Sequence, residues 1–130
     1  MTRWLFVYGT LRRSVPHPMA RWLARRARYC GVATVKGVLY EVDGYPVLVP
    51  HPDAGRRVVG DLYALPATDA DAILRRLDAY EGCDMDAPGY RRVVLPVVDS
   101  RGRRYIAWVY IWTGSLERAR PIPGGDYLHR

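Results

Sequence analysis

Apolar residues recur at helical spacing in one stretch of this chain and at strand-like spacing through most of the rest. From Thr68 to Gly82, the positions Ile73, Leu74, Leu77 and Tyr80 repeat at intervals of three and four, which predicts a helix. Thr68 or Asp69 supplies a cap, Asp71 an acid in the first turn, and Gly82 a terminator. Counting about 100° per residue from Ile73, Leu74 lies near 100°, Leu77 near 40° and Tyr80 near −20°. Asp71, Arg75 and Asp78 point the other way, as solvated residues. A shorter helix is expected after Pro16 and Pro18, with Met19, Trp22 and Leu23 on one face and Arg21, Arg25 and Arg28 elsewhere.

Strand signals run from Trp4 to Tyr8, Ala33 to Val42, Val47 to Val49, Arg57 to Leu65, Tyr90 to Val98 and Arg104 to Trp112. Asp99-Ser100-Arg101-Gly102 reads as the hairpin turn joining the last two. Gly44-Tyr45-Pro46 reads as another turn, and the tail from Pro121 to Arg130 as irregular chain. Leu5-Phe6-Val7 and Val93-Val94-Leu95 are continuously apolar, so both are expected to be buried on both faces. Many strands and two helices in a chain without repeats or linker predict an α+β class. The expected form is a strongly curved sheet or small barrel with helices packed around it, one domain over residues 1–130.

Composition narrows the options further. With 49% hydrophobic residues the chain can bury a core, which excludes a disordered class. No apolar run reaches the ~18 residues of a spanning helix, so no membrane partner is expected. Gly9 ends the apolar run from Leu5 to Tyr8 too early for a secretory leader, and a cytoplasmic location is expected. The net charge of +7 is carried by arginine almost alone, Lys36 being the sole lysine. Arginine pairs occur at Arg12-Arg13, Arg25-Arg26, Arg56-Arg57, Arg75-Arg76, Arg91-Arg92 and Arg103-Arg104. That scatter argues against a single nucleic-acid groove, although an arginine-driven nucleic-acid binder stays as a distant alternative. The same field would attract small anionic substrates. Cys30 and Cys83 are too far apart for a metal pair and are expected as free thiols, with a disulfide left open. His17, His51 and His129 do not have zinc-ligand spacing.

Two features carry candidate chemistry. Glu81 falls at about 80° on the helical count, inside the apolar stripe. A carboxylate facing a core is costly unless it is paired, protonated or lining a cavity. Burial and the negative end of the helix dipole both raise its pKa above about 4.3, toward the range of a general acid/base. The competing reading is a buried carboxylate bonded to one of the arginines. The second feature is Tyr8-Gly9-Thr10-Leu11, where the first strand stops and the chain turns. Glycine there permits a bend and close approach of a ligand, and consecutive amides can form an anion-binding nest or oxyanion hole. Arg12 and Arg13 are expected to add positive potential. An ordinary strand exit is the alternative.

Taken together, Tyr8-Gly9-Thr10-Leu11-Arg12, Gly37-Val38-Leu39-Tyr40, Tyr45-Pro46, Gly60-Asp61-Leu62-Tyr63, Leu77-Asp78-Ala79-Tyr80-Glu81-Gly82, Tyr90-Arg91-Arg92 and Gly125-Asp126-Tyr127 follow one another in an order that resembles the gamma-glutamylcyclotransferase-like family. That family includes gamma-glutamylamine cyclotransferase and related small bacterial proteins. The resemblance spans essentially the whole chain and implies a small mixed β-barrel flanked by helices. It implies intramolecular acyl transfer, in which the α-amine of a small gamma-glutamyl substrate attacks its own γ-carbonyl and expels an amine, leaving 5-oxoproline. By the same resemblance Glu81 is the acid/base, and Tyr8, Gly9, Thr10 and Leu11 hold the glutamyl portion. Tyr110 is the pocket tyrosine of a late strand, with Tyr105 as its competitor. The chemistry requires no metal and no organic cofactor. The sequence departs from the pattern at Gly125-Asp126-Tyr127-Leu128, where relatives often place tryptophan, and this puts substrate preference in question. Asp84 and Asp86 in the acidic loop from Cys83 to Gly89 look like a metal-loop fragment but read better as solvated acids. A non-catalytic module binding a small anionic metabolite is the principal alternative function.

Overall fold

The computed structural model describes residues 2–83 and 87–130. The chain runs through β1 (Trp4–Val7), α1 (Pro18–Arg26), β2 (Arg28–Val42), β3 (Tyr45–Pro50), β4 (Arg57–Ala64), α2 (Ala70–Glu81), β5 (Tyr90–Asp99), β6 (Arg104–Trp112) and β7 (Arg120–Pro121), then a short 3-10 turn at Tyr127–His129. β2, β4, β1, β6 and β5 pair in that order, and β5 returns to β2 by setting Val97–Asp99 opposite Ala33–Val35. This closes a five-stranded barrel. Among the described strands only β1 and β6 pair in parallel, so the barrel is mixed, as the family resemblance implies.

Side-chain alternation along β1 explains why its whole apolar run is buried. Phe6 and Tyr8 point into the barrel with Val35, Leu62, Val97 and Val109, while Leu5 and Val7 point outward to α1 and α2. There they meet Leu23, Ile73, Leu74 and Leu77, the stripe that the spacing of α2 foretold. The matching expectation for Val93-Val94-Leu95 fails on one face. Val94 is 45% exposed and Ile106, on β6 opposite Pro96, is 52%, because the helices cover β1, β4 and the Trp108–Tyr110 part of β6 and leave the outer face of β5 beyond Arg92 to solvent.

β2 is far longer than its barrel portion. After Lys36 it pairs with β3 on one side and β7 on the other, forming an arm beyond the barrel. The turn at the end of the arm is Asp43-Gly44, both with positive φ (51° and 87°), the geometry of a tight hairpin. Tyr45 and Pro46 therefore begin β3 and are not part of the turn, a correction to the sequence reading. The tail is also more ordered than its composition suggests. Ile122 is buried in the barrel core and its N–H donates to Leu39 O at 2.9 Å. Among the described residues no helix is long and apolar enough to cross a membrane.

Candidate active site

The site begins where β1 ends. Tyr8 is buried, and its hydroxyl donates to the main-chain oxygen of Tyr110 at 2.5 Å. Burial lifts its phenol well above the ordinary value, with Tyr90 and Glu81 adding to the effect. The chain then reverses through Gly9-Thr10-Leu11-Arg12, closed by Arg12 N–H donating to Gly9 O at 3.0 Å. No side chain or turn carbonyl among the described residues accepts from the amides of Gly9, Thr10 or Leu11. Glycine is required at position 9 by space, because a Cβ there would stand 2.5 Å from Pro46 Cγ. The sequence reading had assigned that freedom to ligand approach; the neighbour the structure supplies is the Pro46 ring.

Glu81 closes α2, one residue before Gly82, whose φ of 65° ends the helix as its type suggests. Its side chain is mostly buried, and among the described residues no hydrogen bond or ion pair reaches its carboxyl. Burial raises its pKa from 4.5 to about 7. Asp78, one turn earlier, is not the solvated residue the helical count predicts. Both its oxygens take Arg92, Nε at 2.8 Å and a terminal nitrogen at 3.1 Å, and Oδ1 also accepts from the Tyr110 hydroxyl at 2.6 Å. The two acids of the last turns thus have opposite environments, one held by a guanidinium and one without a cation.

A cavity of about 460 Å³ opens between these elements. Its wall brings together Glu81, Tyr8, Gly9, Thr10, Leu11 and Tyr110, all of which the sequence had singled out. It adds Phe6, Val7, His17, Tyr45, Pro46, Tyr80 and Tyr90. Of these, Tyr45-Pro46 and Tyr90 appeared in the sequence only as pattern elements, and His17 gave no signal. Tyr105 is not in the wall; it packs edge-on against Trp4 at 4.7 Å and donates to Asp99 at 2.9 Å. Among the described residues no arginine or lysine lines the cavity, so Arg12 and Arg13, expected to add positive potential near the turn, are not in its wall. Arg12 is buried elsewhere, bridging Asp61 at 3.3 Å and Asp126 at 2.9 Å, and Arg13 lies over the Tyr29 ring. Asp61 also accepts the Arg13 amide at 2.8 Å. Three of the sequence elements, Tyr8 to Arg12, Gly60 to Tyr63 and Gly125 to Tyr127, are therefore joined by one ion-pair network that holds the turn from behind.

Tyr90 donates its hydroxyl to Pro46 O at 2.6 Å, and the Tyr80 hydroxyl lies 2.9 Å from Thr10 Oγ1. Among the described residues no group of three or more His, Cys, Asp or Glu is placed to hold a metal ion. Cys30 and Cys83 are both free, while Asp84 and Asp86 lie outside the described residues. Chemically the arrangement offers a carboxyl that changes protonation near neutrality, the main chain of the Gly9–Leu11 turn in the same wall, and neutral aromatic side chains.

A family model described as gamma-glutamyl cyclotransferase, AIG2-like, matches residues 5–129. The chain is similar to the crystal structure of an AIG2-like protein from Mus musculus, with a TM-score of 0.70 and 26% identity over 89% of this chain and 81% of that one. It is similar to a Bacillus subtilis protein with a TM-score of 0.71 and 25% identity, covering 99% of this chain but 40% of the other. An uncharacterised protein of Pyrococcus horikoshii shares the fold at 23% identity, with a TM-score of 0.66 over 98% and 92% of the two chains. No curated protein matches the sequence.

Proposed function

The chain belongs to the gamma-glutamyl cyclotransferase, AIG2-like family, and from that premise we propose that it cyclises small gamma-glutamyl amines or amides to 5-oxoproline with Glu81 as acid and base. The observation that carries this is the Glu81 carboxyl, raised to about 7 by burial and opening without a cation onto a cavity edged by the Tyr8–Leu11 turn. An α-ammonium has a pKa of about 8 and must lose a proton before it can attack. Ionised Glu81 takes that proton; the amine nitrogen then adds to the γ-carbonyl carbon and puts negative charge on its oxygen. Glu81 hands that proton to the departing nitrogen and takes the surplus proton from the attacking nitrogen; the old C–N bond breaks, the carbonyl re-forms within the five-membered ring, and the second proton follows the amine, which leaves as an ammonium. No water is consumed, and Glu81 ends ionised as it began.

In this reading the main-chain amides of Gly9, Thr10 and Leu11, whose residues line the cavity, receive the substrate carboxylate or the oxyanion. With nucleophile and electrophile in one molecule, the wall of Tyr8, Tyr90 and Tyr110 serves to hold the folded, attacking conformer. The test is a panel of gamma-glutamyl amines, peptides and lysine isopeptides scored by 5-oxoproline release, with Glu81→Gln alongside. Release by wild type and none by Glu81→Gln supports the reading. Binding without turnover across the panel would make the protein a metabolite-binding module.

A further inference from the structure

We propose that His17 and Tyr80 are positioning residues that lock the Thr10 hydroxyl as a hydrogen-bond donor facing the cavity. The protons are ordered along one chain of contacts. His17 is the N-cap of α1, and its Nδ1 accepts the Met19 N–H at 3.0 Å. A ring nitrogen that accepts carries no proton, so the neutral imidazole bears its hydrogen on Nε2. That nitrogen lies 3.4 Å from the Tyr80 oxygen, with the two rings edge to face at 5.4 Å, so the N–H donates to the phenol. The Tyr80 hydrogen is then directed to its other neighbour, Thr10 Oγ1, at 2.9 Å. Thr10 therefore accepts from Tyr80 and keeps its own hydrogen free for the cavity.

The remaining hydroxyls of the wall show why this matters. Tyr8 donates to Tyr110 O, Tyr90 to Pro46 O and Tyr110 to Asp78, so these three are already committed as donors, while the fourth, Tyr45, is 64% exposed. Among the described residues no arginine or lysine stands in the wall, so apart from the exposed Tyr45, Thr10 is the side chain left to donate to an anionic group beside the amides of its own turn. The device also ties site to scaffold, because the bond that caps α1 is the one that selects the tautomer. It rests on the proposed function in one respect only, the identity of the anion as the glutamyl carboxylate.

A carboxylate bonded equally in ground and transition states affects KM and not kcat. Thr10→Val and Tyr80→Phe should each raise KM for a gamma-glutamyl amine about tenfold, with kcat within about twofold. In the Thr10→Val background, Tyr80→Phe should add nothing, since its effect passes through Thr10. His17→Asn keeps a capping acceptor for α1 but cannot reach Tyr80. It should leave thermal stability unchanged, raise KM, and likewise be silent in Thr10→Val. Additive effects on KM, or a Tyr80→Phe effect that survives without the Thr10 hydroxyl, would overturn the relay. Nitrogen-15 NMR of the His17 ring gives a readout that needs no turnover. The hydrogen should reside on Nε2, and a hydrogen on Nδ1 overturns the proposal. If wild type releases no 5-oxoproline, the functional reading fails while the tautomer still decides this one.

Discussion

Replacing Glu81 by glutamine exchanges an ionisable acid for a neutral side chain of nearly the same shape, so its effect isolates the charge. Burial moves this carboxyl from 4.5 to about 7. At about 1.4 kcal/mol per tenfold change in proton affinity, ionising it in the folded protein costs about 3 kcal/mol. The sign follows from the direction of the shift. The folded protein binds this proton more tightly than the unfolded chain, so the charge has no effect below about pH 4.5 and destabilises increasingly up to about pH 7. Denaturant unfolding of both proteins at pH 4, 6 and 8 measures this directly. Relative to their difference at pH 4, Glu81→Gln should be about 2 kcal/mol more stable at pH 6 and about 3 kcal/mol at pH 8. The same variant should release no 5-oxoproline. A difference that does not change with pH, or a variant less stable at pH 8, would mean that a cation compensates the carboxylate and would refute the reasoning.

Other consequences are as specific. The logarithm of kcat/KM should rise with a slope near one below pH 7 and flatten above it, as the base form of Glu81 fills; a profile flat from pH 5 to 7 would assign the base elsewhere. Gly9→Val forces its side chain onto Pro46, where even a Cβ would stand 2.5 Å from the ring. It should lose about 1–3 kcal/mol in thermal or denaturant unfolding, and an unaffected midpoint would contradict the packing described. Arg12→Met leaves buried Asp61 and part-buried Asp126 without their cation. That should cost about 3–5 kcal/mol of stability, and a fully stable Arg12→Met protein would show the network to be dispensable.

What the sequence disclosed, and what it hid, follows from the range of the interactions involved. Helical phase is a local property, so the buried stripe of α2, its terminator Gly82 and the inward placement of Glu81 were all readable. Phase says which way a residue points and nothing of what comes to meet it. Asp78 was read as solvated because Arg92 and Tyr110 reach it from β5 and β6, across 14 and 32 positions of chain. Arg12 is expected to act near the turn because it follows Thr10 and Leu11, yet its partners lie 49 and 114 positions away. Val94 looked like core because its neighbours are apolar; which face the helices cover is settled by topology. Tyr45 and Pro46 were hidden by a glycine that suggested a turn, and the turn in fact ends at that glycine. His17 carried no pattern at all, since its role depends on a capping bond and a tyrosine 63 positions downstream.

The decisive measurement is the product balance from wild-type protein and a single gamma-glutamyl amine, resolved by chromatography. One 5-oxoproline should form for each amine released, with no free glutamate, and the yield should vanish in Glu81→Gln. Glutamate in place of 5-oxoproline, or undiminished cyclisation without the Glu81 carboxyl, would contradict the assignment of this side chain as the proton carrier.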